Sequence, residues 1–193
     1  MKIFAGALKG MNILTPKDST ITRPTSAKIR EAILHKVQEE LQDSVFIDLF
    51  AGTGAVGIEA ISRGAQGAYL VENNKNILKV LRKNVSLAHE RMLKQGFSPE
   101  PMKILALDVL KALGKIESKS ESFVLWADPP YANCLTWLKN LNKQALDILE
   151  KTSLIIIEAD KDLIKHQDFN IEGWEISFEK IYGATAITGW IKK

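Results

Sequence analysis

The stretch DLFAGTGAVGIEA, residues 48–60, decides how this chain folds. It contains Gly52-Thr53-Gly54-Ala55-Val56-Gly57, a literal G-x-G-x-x-G. A strand, a tight glycine turn and a helix in that order aim backbone N–H groups and the positive end of a helix dipole at a ligand. Glu72 closes the next strand, twenty residues after Gly52. A carboxylate there accepts hydrogen bonds from both hydroxyls of a ribose. The bland alternative is a plain turn with a carboxylate facing water. The two features in the expected order favour a nucleoside-containing cofactor.

Working outward, strands alternate with helices. Strands are expected over Val45–Phe50, Gly67–Glu72, Met102–Leu107, Ser122–Ala127 and Leu154–Glu158. Helices are expected over Gly54–Arg63, Asn74–Leu93 and Asn133–Glu150, with a short one after Asp108. Apolar residues at Ile77, Leu81, Val85, Ala88 and Met92 give the second of these one buried face. That alternation implies βαβ units and a parallel sheet, and runs such as FVLWA and LIIIEA fit strands covered on both faces. Trp174–Ile181 and Ala184–Ile191 meet at Tyr182-Gly183 with no helix between, so they should form an antiparallel hairpin at the sheet edge. The fold class is therefore α/β, a Rossmann-like, mostly parallel seven-stranded sheet with a C-terminal antiparallel hairpin. Residues 1–41 form an N-terminal extension: a small hairpin from Lys2–Ala5 and Met11–Leu14, a loop over Thr15–Thr25, and a helix capped by Ser26 and running to about Leu41. Residues 42–193 form the main domain.

The bulk numbers narrow the class. The single cysteine, Cys134, excludes an intrachain disulfide and a zinc cluster, and no metal is expected. No apolar run approaches bilayer length, and no signal peptide is visible, so a cytoplasmic protein without a membrane partner fits best. No long interaction helix stands out, and a monomer is expected. The net charge is only +3, yet residues 1–36 carry seven basic residues against two acidic ones, a surplus of five. A basic amino-terminal face on a near-neutral body suits a polyanion.

Two cofactor types satisfy the ribose argument. A dinucleotide brings a pyrophosphate, for which Asp48 just ahead of the turn is electrostatically unhelpful. S-adenosylmethionine (AdoMet), which becomes S-adenosylhomocysteine on losing its methyl group, brings an ammonium and a sulfonium, which want acceptors. The candidate cofactor-binding residues are Asp48, Ala51, Gly52, Thr53, Gly54, Glu72, Asn73, Asp108, Val109 and Asp128, with Asp48 supplying charge behind the loop, Gly52 and Gly54 at the methionine end, Glu72 at the ribose and Asp108 at the adenine amino group. Asp108 serves equally as a helix N-cap. Gly57, one turn into the helix, is expected to pack against the sheet.

Asp128-Pro129-Pro130-Tyr131 follows the fourth apolar strand directly. The prolines stiffen the turn and remove two N–H donors. An Asp carboxylate, a rigid carbonyl and an aromatic face then converge, which suits the exocyclic amine of a planar base. Acceptors aimed out of the ring plane favour a more tetrahedral nitrogen, and Asp128 is placed to help a proton leave.

DPPY after an apolar strand, with DLFAGTGAVGIEA upstream, resembles the amino-group AdoMet-dependent methyltransferases, whose fold is the class I methyltransferase fold. TRPTSAKIREAI ahead of the domain and YGATAI in the last hairpin narrow the likeness. Together they resemble the bacterial family that methylates the N2 amine of one guanine (G966) in 16S ribosomal RNA, and the resemblance runs over nearly the whole chain. It implies an AdoMet site at the Asp48–Gly54 loop, Glu72 and Asp108, and a guanine site at Asp128–Tyr131. It also implies 16S rRNA, in an assembling or assembled 30S subunit, as the partner. Arg23, Thr25, Lys28 and Arg30 are the expected RNA-facing residues, since cations at a helix N-terminus oppose its dipole unless a phosphate offsets them. Pairing of Arg30 with Glu31 or Glu59 is the competing reading. N6-adenine methylation of DNA, protein-glutamine methylation, a nicotinamide-dependent oxidoreductase and a catalytically silent RNA-binding factor also stay open on the residues alone.

Overall fold

The structure, a computed structural model, describes residues 1–16, 27–97, 102–116, 122–130, 132, 134–144, 146–166 and 169–193, without the side chains of 142–144, 146 and 147. In chain order the elements are α1 (Ala27–Lys36), α2 (Gln38–Gln42), β1 (Val45–Asp48), α3 (Ala55–Ser62), β2 (Gly67–Val71), α4 (Lys75–Lys94), β3 (Met102–Leu105) and α5 (Val109–Leu113). There follow β4 (Phe123–Ala127), α6 (Cys134–Gln144), α7 (Leu146–Lys151), β5 (Thr152–Asp160), a short 3-10 turn (Leu163–Lys165), β6 (Trp174–Tyr182) and β7 (Thr185–Lys192). The strands form one seven-stranded sheet in the order β3-β2-β1-β4-β5-β7-β6. The first five lie parallel, and β7 runs antiparallel to both β5 and β6.

The pleat sorts each strand's residues onto two faces. Phe46, Leu70, Val124, Trp126 and Ile156 point to one side, where α1, α3, α4 and the amino-terminal segment pack. Ile47, Val71, Leu125, Ile155 and Ile157 point to the other, beneath α5, α6 and α7. Continuous burial along β1, β2 and β4 is the consequence of this double cover.

Several boundaries differ from those read in the sequence. β5 is nine residues long because its pairing with β7 extends to Asp160 opposite Thr185. The helix expected to run to Leu41 is divided at Val37, whose φ of −103° and ψ of 26° leave the helical region. Gln38 then reaches the backbone carbonyl of Arg63 through Nε2 at 2.8 Å. Ser26 lies outside the described residues. The expected amino-terminal hairpin is reduced to one bridge, Lys2 opposite Asn12, supported by Ile3 N–Met11 O at 3.0 Å and Gly10 N–Ile3 O at 2.8 Å.

This small loop docks on the end of α3. Ala7 N donates to the Ser62 carbonyl and Leu8 N to Ser62 Oγ, each at 2.8 Å. Gly6 approaches so closely that a Cβ there would sit 1.6 Å from the Ser62 carbonyl oxygen. Its job is backbone packing on α3.

The second anchor is a buried ion triad. Arg30 Nε meets Glu59 Oε2 and Arg63 Nη2 meets Glu59 Oε1, both at 2.8 Å, with all three side chains at most 4% exposed. Arg30 also donates to the Lys2 carbonyl at 2.6 Å and stands 5.3 Å over the Phe4 ring. The expectation that Arg30 faces RNA is thereby corrected: its guanidinium is spent inside the fold, tying α1 and the amino terminus to α3. Only a forked donor set satisfies so many acceptors from one side chain.

Removing the central carboxylate leaves two buried guanidiniums without a counter-charge. Glu59→Gln should lower the unfolding free energy by about 3–5 kcal/mol, measured by urea denaturation; a loss below about 1 kcal/mol would show the triad to be dispensable.

Candidate functional site

The strand order reverses between β1 and β4, and open α/β sheets hold ligands in the crevice at that switch point, beyond the carboxyl ends of the strands. Here the crevice is a cavity of about 350 Å³. Leu49 and Phe50 line it from the exit of β1, Val71, Glu72 and Asn73 from β2, and Leu107–Leu110 from the turn after β3. Pro129 and Pro130 close the β4 side, and Thr136, Trp137 and Asn140 of α6 form the far wall. Its described charged residues are Glu72 and Asp108; no described lysine or arginine lines it.

The glycine turn stands behind this wall. Leu49 N donates to the Trp126 carbonyl at 2.9 Å and Ala51 N to the Val71 carbonyl at 2.8 Å, so the turn is fastened to the strands on both sides. Gly52 and Gly54 adopt φ of 53° and 82°, which side chains disfavour. Gly52 N donates to Glu72 Oε2 at 3.1 Å, and Gly54 N to the Ala51 carbonyl at 2.7 Å. Two of the turn's N–H groups, those of the two glycines, are therefore already engaged within the protein. With two carboxylates and no described cation in the lining, this arrangement argues against a dinucleotide, despite the literal motif.

Glu72 Oε1 accepts from Asn74 N at 2.7 Å, so each oxygen is fixed by one backbone donor while retaining capacity for a second. Asn74 in turn caps α4 through Asn76 N and Ile77 N at 2.9 and 3.2 Å. Asp108 lines the cavity, and its Oδ1 caps α5 through Leu110 N at 3.1 Å, the N-cap role read for it in the sequence. Gly57 faces the sheet, where a Cβ would lie 2.2 Å from Leu70 Cδ2.

Asp48 is 1% exposed, and its Oδ2 is buried with no hydrogen-bond partner among the described residues. Burial pushes its carboxyl up from 3.8 to about 7; backbone N–H groups of Phe50 and Gly57 pull it back, and the charge of Glu72 raises it further. The result is a buried acid with unspent acceptor capacity directly behind the turn.

Asp128 is half-buried at the end of β4, and Pro129 is buried while Pro130 is exposed. The first residue of α6, Cys134, is fully buried; burial first and the charge of Asp128 second push its thiol up to about 11. Tyr131, Arg23 and Thr25 lie outside the described residues. Lys28 is exposed on α1.

Two parts of the site were not anticipated. Trp137 packs edge-on against Phe50 with ring centroids 5.8 Å apart, and its Nε1 is buried without a partner among the described residues. Asn84, fully buried on α4, donates to the Thr53 carbonyl at 2.8 Å. It also clamps the Leu14 backbone, accepting from its N at 2.9 Å and donating to its O at 3.0 Å. A polar residue inside the apolar stripe of α4 was the signal for it.

Sheet order, switch-point cavity and acid-lined turn together define a class I methyltransferase fold. Known proteins agree. The chain is 32% identical over 165 residues to ribosomal RNA small subunit methyltransferase D of Buchnera aphidicola (strain APS), covering 82% of this chain and 78% of that one. It is 27% identical over 194 residues to the Escherichia coli K12 protein of the same name, covering 96% and 87%. Among solved structures, a hypothetical protein of Thermus thermophilus superposes with a TM-score of 0.73 at 26% identity over 100% of this chain and 99% of that one. An RNA methyltransferase from Salinibacter ruber in complex with S-adenosylhomocysteine shares the fold, with a TM-score of 0.58 at 16% identity over 88% and 94%. The chain belongs to the family described as Conserved hypothetical protein 95, which it matches over residues 1–191.

The raised Asp48 carboxyl makes stability pH-dependent. The folded protein holds this proton up to about pH 7, whereas the unfolded chain releases it near 3.8. Stability from this group is thus present at low pH and lost as pH rises towards 7, at up to about 1.4 kcal/mol per pH unit. The urea midpoint of the wild type should fall relative to that of Asp48→Asn between pH 4.5 and 7.5. Parallel midpoints across that window would contradict the assignment.

Proposed function

We propose that the protein transfers a methyl group from AdoMet to the exocyclic N2 amine of a guanine, G966 by family resemblance, in 16S rRNA of an assembling or assembled 30S subunit. The observation that carries this reading is the meeting, at one switch point, of an acid-lined cavity with Pro129 and Pro130 of the corner that the half-buried Asp128 begins. The relatives named rRNA methyltransferases support RNA as the substrate class.

The residues present suit AdoMet on physical grounds. Asp48, with its unpartnered buried Oδ2, supplies negative charge toward the methionine ammonium through the turn. Glu72 receives the ribose hydroxyls and Asp108 the adenine amino group, while Leu49, Phe50, Val71 and Val109 give apolar walls for a planar ring. When bound, AdoMet supplies a methyl carbon made electrophilic by its sulfonium.

This chain's own residues would prepare the nucleophile. An aromatic amine is weak because its lone pair is delocalised into the ring. Asp128 and a corner carbonyl accept its two N–H bonds, drawing the nitrogen toward tetrahedral geometry and aiming its lone pair. Tyr131 would stack on the guanine. After transfer the nitrogen sheds one proton, which Asp128 passes to solvent.

Asp128→Ala should reduce tritiated-methyl transfer to 30S particles by at least about 100-fold while weakening AdoMet binding by no more than about tenfold. Mapping the labelled nucleotide tests the guanine assignment directly. Full activity in the variant would refute the role of the corner. A thermal upshift with NAD and none with AdoMet would refute the cofactor.

A further inference from the structure

We propose that the exposed face of α4 is a phosphate-binding track for the RNA strand flanking the target base, separate from the basic amino-terminal segment. This rests on the proposed RNA substrate and extends it to a surface with no role so far.

Lys75, Lys79, Arg82 and Lys83 are all exposed on α4. A residue advances about 100° around a helix, so these four fall within an arc of roughly 100°. Between residues 75 and 89 there is no acidic residue. Among the described residues none of the four has an ion-pair partner. With the surplus of five in residues 1–36, these four leave the remainder of the chain at −6 against a total of +3. The net positive charge of this protein lies in two segments.

The usual reading of exposed lysines is a solvated face. Their placement here works against the helix that carries them. Lys75, Lys79 and Lys83 repeat at i, i+4 and i+8, where like charges destabilise a helix. Lys75 also opens α4, in the first turn, where the dipole disfavours a cation, and that turn holds no acid. A helix optimised for stability alone would carry Glu or Asp at these positions. A bound polyanion relieves both the mutual repulsion and the dipole conflict.

Position supports the same partner. The helix starts three residues after Glu72, whose side chain lines the cavity. Asn84, next to Lys83, clamps Leu14 at 2.9 and 3.0 Å, and Arg91 Nη2 holds the Lys9 carbonyl at 2.9 Å. The amino-terminal segment is thus fastened along α4, and the two basic regions adjoin. A strand of RNA spanning them would pass the mouth of the cavity.

The test compares wild type with K75Q/K79Q/R82Q/K83Q, and with the control K111Q/K115Q/K161Q/K165Q, which removes the same charge from exposed positions elsewhere. Fluorescence anisotropy with a fragment of 16S rRNA is followed against salt. Neutralising the stripe should make the slope of log affinity against log salt shallower by about 3 to 4 and raise the RNA KM about tenfold. AdoMet affinity and kcat at saturating RNA should stay within about twofold, and urea stability should hold or rise. The control should track the wild type in slope and KM. Equal slopes in both variants overturn the proposal, as does unchanged RNA binding with lost binding to anionic phosphatidylglycerol vesicles. Failure of the wild type to methylate 30S particles would instead sink the activity reading, and the binding slopes would still decide the stripe.

Discussion

The amide of Gly52 is hydrogen-bonded to the Glu72 carboxylate, and the character of the site follows from that contact. It joins the turn after β1 to the end of β2 across twenty residues of sequence. It also consumes a donor that the same glycine pattern presents to phosphate in dinucleotide enzymes. Asn84 holds the turn from the opposite side through the Thr53 carbonyl. Backbone fixed from both flanks tolerates positive φ at Gly52 and Gly54, because the surroundings leave it no competing arrangement. Glu72 meanwhile stays oriented toward the cavity by its second backbone donor, Asn74.

The architecture was legible because its signals are local. Apolar runs of strand length, interrupted by helical stripes, permit few topologies once right-handed crossovers are required. The candidate site was legible where uncommon residues stand at the strand ends: a glycine pair, an acid, consecutive prolines. Arg30 shows the limit. A guanidinium that grips phosphate and one buried against Glu59 are the same letter in the sequence. The choice between them depends on Gly6 settling on Ser62, a contact made by backbone atoms, which the letters do not record. The division at Val37 is similar. The apolar stripe runs through it without interruption, and the local chain departs from helix where Gln38 meets Arg63.

Charge is sorted in this molecule by what each region must refuse as well as by what it must attract. The described lining of the cavity carries carboxylates, with Asp48 buried behind it, so a phosphate chain entering it would meet repulsion in a medium that screens poorly. Lys75, Lys79, Arg82 and Lys83 of α4 stand outside, exposed at the surface on the track proposed for the RNA backbone. Under the proposed activity this separation keeps the polyanion at the surface while one base enters the site.

The amino-terminal segment is where these two regions meet. Its beginning is fixed by Arg30, which holds the Lys2 carbonyl and is itself held by Glu59. Its far end is fixed at Leu14 by Asn84, the side chain that also secures the glycine turn. Beyond residues 17–26 the chain resumes in α1, which carries Arg30. The stretch containing Arg23-Pro24-Thr25 therefore starts and finishes at buried anchors. Arg30 thus serves the fold and, with Asn84, fixes the two described flanks of that stretch, while Lys28, two residues earlier on α1, stays exposed.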